Sequence, residues 1–238
     1  MSQLPRVVLL TGASRGLGAA LMQELLDRGV NKVYATCRQP EKQPQKDHRI
    51  QWRALDLACA DSIESLAEST NDAEWLFNNA AINHRGHALQ SDQTLIHEEM
   101  AVNCLGPLRL MQLMRPRLTR AEHGRIINIL SICSFAGMPS LGGYCASKAA
   151  LYSLCQSIAP ALNQGGISLH NVFPGPIDTD MNADQEIPNM VSPESVATHI
   201  IDAVLNNQSL IYPDPQSQHD ARIWLQDPLE LQKQYQRY

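Results

Sequence analysis

Charged residues are scarce. Asp, Glu, Lys and Arg make up 18% of the 238-residue chain, against ~25% in an average soluble domain. With 44% hydrophobic residues, that composition excludes a disordered chain, a collagen and a coiled coil. Basic residues are in deficit, 19 against 24 acidic, for a net charge of −5, so no basic face for nucleic acid is expected. No apolar run approaches the ~18 residues that span a bilayer. Met1–Pro5 leads straight into the apolar Val7–Leu10, with no room for the basic and apolar regions of a secretory signal. The six cysteines, Cys37, Cys59, Cys104, Cys133, Cys145 and Cys155, contain no CxxC. A chain of this length buries roughly 70% of its surface without staples. They read as reduced thiols of a cytoplasmic protein.

What is present alternates. Apolar runs at Arg6–Leu10, Lys32–Thr36, Ile50–Arg53, Glu74–Phe77, Arg125–Leu130, Ile167–Phe173 and Ser209–Tyr212 read as strands. Between them helical periodicity covers Gly16–Arg28, a stretch from an Asp61 cap to Ser69, Asp92–Asn103, Pro107–Ala121, Gly143–Asn163 and Pro193–Asn206. Pro160 is expected to kink or end its helix, and Ser192 with Pro193 forms a helix start. Strand–helix alternation predicts one α/β domain, a doubly wound parallel sheet of about seven strands with helices on both faces. Gln39–Asp47 reads as a surface connection. Residues 1–212 form the domain on this reading, and 213–238 a tail, helical in part over Asp220–Tyr238 but interrupted at Pro228.

Thr11-Gly12-Ala13-Ser14-Arg15-Gly16-Leu17-Gly18 follows the first strand and opens the first helix. Glycines there permit a tight turn and close backbone approach to a pyrophosphate, and the helix N-terminus adds free N–H groups and partial positive charge. An NAD site needs a carboxylate at the end of the second strand. That end reads Thr36-Cys37-Arg38, so Arg38, with Arg15, suits a ribose 2′-phosphate. The expected cofactor is NADP(H) rather than NAD(H).

These residues, with others further on, resemble the short-chain dehydrogenase/reductase family. The glycine turn resembles TGxxxGxG, and Asn78-Asn79-Ala80-Ala81 resembles NNAG with Ala81 in place of glycine. Asn103 stands at the mid-chain asparagine, and Ser131 precedes Tyr144 of a YxxxK motif, ending in Lys148, by 13 residues. Pro174-Gly175-Pro176-Ile177-Asp178-Thr179 resembles the PG motif after the sixth strand. The match covers about residues 5–212, and the short segment after Thr179 resembles the smaller carbonyl reductases of the C-factor and Sniffer type. The resemblance implies catalytic roles for Ser131, Tyr144, Lys148 and Asn103. It implies cofactor contacts from Gly12, Ser14, Arg15, Gly16, Leu17 and Gly18, from Arg38, Asp56, Leu57, Asn79 and Ala80, from Tyr144 and Lys148, and from Pro174, Gly175, Ile177 and Thr179. Asp56 would meet the adenine, unless it only caps a turn, and Asn79 the adenosine ribose. Ile177 and Thr179 would hold the carboxamide. Asn103 would hold a water connecting Lys148 to solvent. A homodimer or homotetramer is implied as well.

Tyr144 and Lys148 lie one helical turn apart. An ammonium there favours the phenolate and lowers the phenol pKa, so that Tyr144 exchanges a proton with a carbonyl oxygen while Ser131 hydrogen-bonds the same oxygen. The expected activity is NADPH-dependent interconversion of a small carbonyl and its alcohol. A dedicated biosynthetic ketoreductase, or a cofactor-binding regulatory protein, would share these motifs. His84 and His87 lack a third metal ligand, so no metal is expected, and either histidine or Arg85 is a candidate substrate contact. Only 13 residues separate Thr179 from Pro193, which predicts an open pocket. Phe135, Met138, Leu141, Pro176 and Met181 are its expected apolar wall.

Overall fold

The computed structural model describes residues 3–44 and 47–237. Seven strands form one parallel sheet: β1 (Val7–Leu10), β2 (Lys32–Cys37), β3 (Ile50–Ala54), β4 (Trp75–Asn78), β5 (Arg125–Ile129), β6 (Ser168–Val172) and β7 (Leu210–Ile211), in the order β3-β2-β1-β4-β5-β6-β7. The apolar strands follow from burial on both faces. Val8 and Leu10 of β1, Trp75 and Phe77 of β4, and Ile127 and Ile129 of β5 pack with helices α1 (Gly16–Asp27) and α6 (Pro193–Leu205). The alternate residues Leu9, Leu76 and Ile126 face α2 (Ala60–Ser69), α4 (Gly106–Leu118) and α5 (Gly142–Gln164). No helix among the described residues is long and apolar enough to cross a membrane.

Several local expectations change. Cys59, not Asp61, is the N-cap of α2, and Asp61 lies in its first turn. The helices expected at 92–103 and 107–121 are one continuous run. Helix α3 (Gln93–Met100), capped by the Asp92 side chain, passes through a π-helical turn (Ala101–Leu105) into α4. Pro107 has no N–H to give the preceding turn, and a wide turn accommodates the missing bond. Helix α5 continues through Pro160 to Gln164, so the proline does not end it. The helix of the tail starts earlier than the Asp220 its pattern suggested. Asp214 caps α7 (Pro215–Gln226), and Asp227 caps α8 (Pro228–Tyr235), with Pro228 at the first helical position rather than breaking a helix. Within the 39–47 connection Pro40–Lys42 is a short 3-10 turn. Residues 45 and 46 of it, Met1 and Ser2 of the N-terminal segment and Tyr238 of the tail lie outside the described residues.

The strand order reverses between β1 and β4. In a doubly wound sheet the crevice beyond the strand C-termini at that reversal is where ligands bind. The loops after β1, β4, β5 and β6 all open there.

Candidate active site

The loop after β1 is built on Thr11, which is fully buried. Its hydroxyl donates to the Phe77 carbonyl at 3.1 Å and accepts the N–H groups of Asn79 and Ala80 at 2.9 and 3.0 Å. Sequence reading gave Thr11 no role beyond its place in the motif, yet it ties the β1 and β4 loops together. Gly12 has φ +67°, and a Cβ there would lie 2.8 Å from Ala80 Cα. A Cβ on Gly18 would fall on the Gly12 carbonyl oxygen and reach Asn79 Nδ2 at 2.7 Å. Both positions are closed to other residues by contact with backbone. Asn79 donates its amide to the carbonyls of Thr11 (2.9 Å) and Gly12 (3.1 Å), so its side chain clamps the turn. Arg15 is the N-cap of α1 and supplies no side-chain cap, which leaves the first-turn N–H groups to an anion. A glycine-lined cradle with uncapped donors fits the pyrophosphate of a dinucleotide.

At the end of β2, Arg38 is exposed, without a partner among the described residues, and no carboxylate replaces it. Arg15 pairs at 3.3 Å with Asp180, both exposed, so the two arginines are not drawn together in this structure. Asp56 is exposed and accepts the Ala58 N–H at 2.9 Å, the turn-capping role. Leu57 is buried in the core. Pro174 and Ile177 are buried, and the Ile177 carbonyl accepts the Asn182 amide at 3.0 Å. The Gly175 N–H donates to Asp214 at 2.8 Å, which fastens the PG loop to the cap of α7.

Ser131 follows β5 by two residues, capping the 3-10 turn Ile132–Ser134, and is 8% exposed. Its hydroxyl accepts the Cys133 N–H at 3.2 Å and lies close enough to the Tyr144 phenol to favour its ionised form. Tyr144 stands in the first turn of α5. Lys148, one turn on and 3% exposed, donates to the Ile129 carbonyl at 2.7 Å, with Nζ 5.7 Å from the Tyr144 ring centroid. Burial pushes the phenol pKa up, and the buried Cys133 adds to this against the opposing pull of the nearby Ser131 hydroxyl. Burial pulls Lys148 down to about 8. The expectation that the ammonium lowers the phenol pKa is therefore reversed here. Lys148 does not figure among the causes of the Tyr144 shift; desolvation dominates it, and Tyr144 rests as a phenol. Asn103, 1% exposed on the π-helical turn, accepts the Ile82 N–H (2.9 Å) and donates to the Ile82 carbonyl (2.8 Å) and Ser147 Oγ (3.0 Å). Both amide hydrogens are thus occupied, and one oxygen lone pair remains for a water.

The expected apolar wall is only partly free. Phe135 stacks on Phe173 and Trp224, with centroids 4.7 and 4.5 Å apart, so it belongs to the tail packing. Met181 is exposed. Of the loop histidines, His84 Nε2 pairs with Glu98 at 2.9 Å, His87 Nδ1 accepts the Leu89 N–H at 3.3 Å, and Arg85 reaches Asn182 at 3.2 Å. No cluster of three metal-ligating residues occurs among the described residues.

The "short chain dehydrogenase" family model matches residues 6–189. The chain belongs to the short-chain dehydrogenase family. It is similar over 99% of both chains, at 30% identity and a TM-score of 0.92, to a short chain dehydrogenase of Burkholderia cenocepacia solved in complex with NADP. A Burkholderia phymatum family member in complex with NAD shares the fold at TM-score 0.82 and 20% identity over 95% of each chain. The human "Short-chain dehydrogenase/reductase 3" is 27% identical over 221 residues, covering 86% of this chain and 73% of that protein. As a short-chain dehydrogenase the chain is an NAD(P)-dependent oxidoreductase acting on a small molecule.

Proposed function

We propose that this short-chain dehydrogenase is an NADP(H)-dependent carbonyl reductase with Tyr144 as its general acid/base. The observation that carries this reading is the Tyr144 phenol close to the Ser131 hydroxyl, with Lys148 Nζ held 5.7 Å from its ring, beside the glycine cradle. A bound nicotinamide dinucleotide supplies the hydride. The chain's own residues do the rest. Ser131 and Tyr144 place two hydroxyl donors on one carbonyl oxygen. Burial keeps Tyr144 protonated at neutral pH, the form a reductase needs to deliver a proton to the oxygen as negative charge grows there. Lys148 faces the phenolate left behind and stabilises it, and Asn103 fixes the neighbouring loop.

The absence of an acidic residue at the end of β2, with Arg38 exposed there, supports the phosphorylated dinucleotide. Arg38 is a guanidinium at the 2′-phosphate position, and Arg15 stands within the glycine turn. The short Thr179–Pro193 segment and the lack of a converging charge support small neutral carbonyls and kinship with the C-factor and Sniffer type of reductase. Calorimetry on Arg38→Ala tests the cofactor assignment. The Kd for NADPH should rise about tenfold or more, as expected for a charge-assisted pair of ~1.5–3 kcal/mol, with that for NADH nearly constant. Equal losses for both contradict it. A panel of ketones, aldehydes and quinones, read by NADPH absorbance, defines the substrate class.

A further inference from the structure

Glu99 is a carboxylate 1% exposed on α3, where helical packing favours an aliphatic side chain. Among the described residues neither lysine nor arginine pairs with it. An unpaired buried charge is costly, so its surroundings show what retains it. Oε1 accepts the His84 N–H at 2.7 Å. Oε2 lies against Gly143, close enough that a Cβ on Gly143 would fall on it. Gly143 is in the first turn of α5, whose N-cap, Leu141, offers no side-chain acceptor. The carboxylate is thus packed against the first turn of a 23-residue helix, and burial there raises its pKa above the ordinary carboxylate value. Asn103, one turn further along the same continuous helix, grips Ile82 by both backbone groups. Two side chains on successive turns thus hold residues 82–84 of the β4 loop.

We infer that Glu99 is a positioning residue that joins the β4 loop to the first turn of α5 and so sets Tyr144 against Ser131. The inference rests on the carbonyl-reductase reading for its kinetic consequence, but the join itself does not. The surface pair His84–Glu98 steadies the same loop from outside. No sequence motif pointed to Glu99, since an acidic residue in a helix reads as a solvated face.

Amide hydrogen exchange on the full-length protein reads the join directly, and kinetics reads its effect. Glu99→Leu should speed exchange at residues 82–84 and 142–145 and lower kcat about tenfold or more, as small misplacements of reacting groups do, with the NADPH Kd unchanged. Glu99→Gln keeps an acceptor for the His84 N–H and should recover kcat to within about threefold of wild type. Gly143→Ala, which drives a Cβ onto Oε2, should reproduce the Leu variant and decides the matter if that variant does not fold. Unchanged exchange in both segments, or a kcat untouched by either Glu99→Leu or Gly143→Ala, overturns the inference. A wild-type protein without carbonyl-dependent NADPH oxidation overturns the reductase reading instead, while the exchange data still judge the join.

Discussion

Tyr144 and Lys148 are pushed in opposite directions by the same burial, and this decides how the pair rests. The phenol is held in its neutral form and the ammonium is made easier to deprotonate, down to about 8. A lysine whose folded pKa lies below its unfolded value of 10.5 costs stability at neutral pH, because the folded protein must hold a charge in a dry site. Between pH ~8 and ~10.5 the unfolded chain binds the proton and the folded one does not, so the Lys148 contribution makes stability rise with pH across that window. Replacing Lys148 with Met should remove that rise and raise the melting temperature at pH 7, while abolishing turnover. Melting temperatures of both proteins from pH 7 to 10.5 check this. Ser131, Tyr144 and Lys148 were legible in the sequence because their spacing is itself the motif. Glu99 and Thr11 were not, because their roles depend on loops brought together only by the sheet. Asp56 and Arg15 have local partners in Ala58 and Asp180 that spacing along the chain does not disclose.

The elements followed from the sequence where periodicity was strong. Alternation of short apolar runs with helical stretches predicts a parallel sheet, whereas the pairing of β1 with both β2 and β4 is seen only in the structure. Boundaries and continuity were harder. Asp92–Asn103 and Pro107–Ala121 looked separate because a proline divides them, but the π-helical turn absorbs the defect. Pro160 lies near the end of a long helix, where α5 packs on the sheet and tertiary contact outweighs local preference. Inside β6, His170 is 1% exposed and its Nδ1 donates to the Gln208 carbonyl at 2.7 Å. Burial lowers its pKa to about 4. Below pH ~6.5 the unfolded chain gains a proton that the folded one refuses, so stability is full above pH ~6.5 and falls as pH drops toward ~4. The gap between the ordinary value of 6.5 and about 4 corresponds to at most roughly 3–4 kcal/mol. His170→Gln should flatten this acid limb in urea titrations taken between pH 4 and 7, whereas an unaltered limb would assign it to other groups.

Across the whole molecule, the tail is part of the site's support. Leu231 and Tyr235 of α8 are buried against Ile132, directly after Ser131, and Trp224 of α7 stacks on Phe135. Asp214 at the head of α7 holds Gly175 of the PG loop. The sequence of the tail is rich in Gln and Pro and conceals this, because only a few of its residues face inward. The Tyr235 hydroxyl donates to the buried Asp220 carboxylate at 2.6 Å, and Gln216 donates to its other oxygen at 2.8 Å. Tyr235→Phe strips that donor from a buried carboxylate and should cost about 2 kcal/mol, a fall of roughly 5 °C in melting temperature for a chain of this size. A shift under 1 °C would place the tail's anchorage in its apolar contacts alone.

The central claim is that the Tyr144 phenol delivers the proton in carbonyl reduction, and one paired measurement tests it most directly. Wild type and Tyr144→Phe are each titrated with NADPH by calorimetry, then assayed for ketone-dependent NADPH oxidation. The account predicts equal Kd values and a kcat about 100-fold or more lower in the variant. Equal turnover by the two proteins, or no NADPH binding by the wild type, would contradict it.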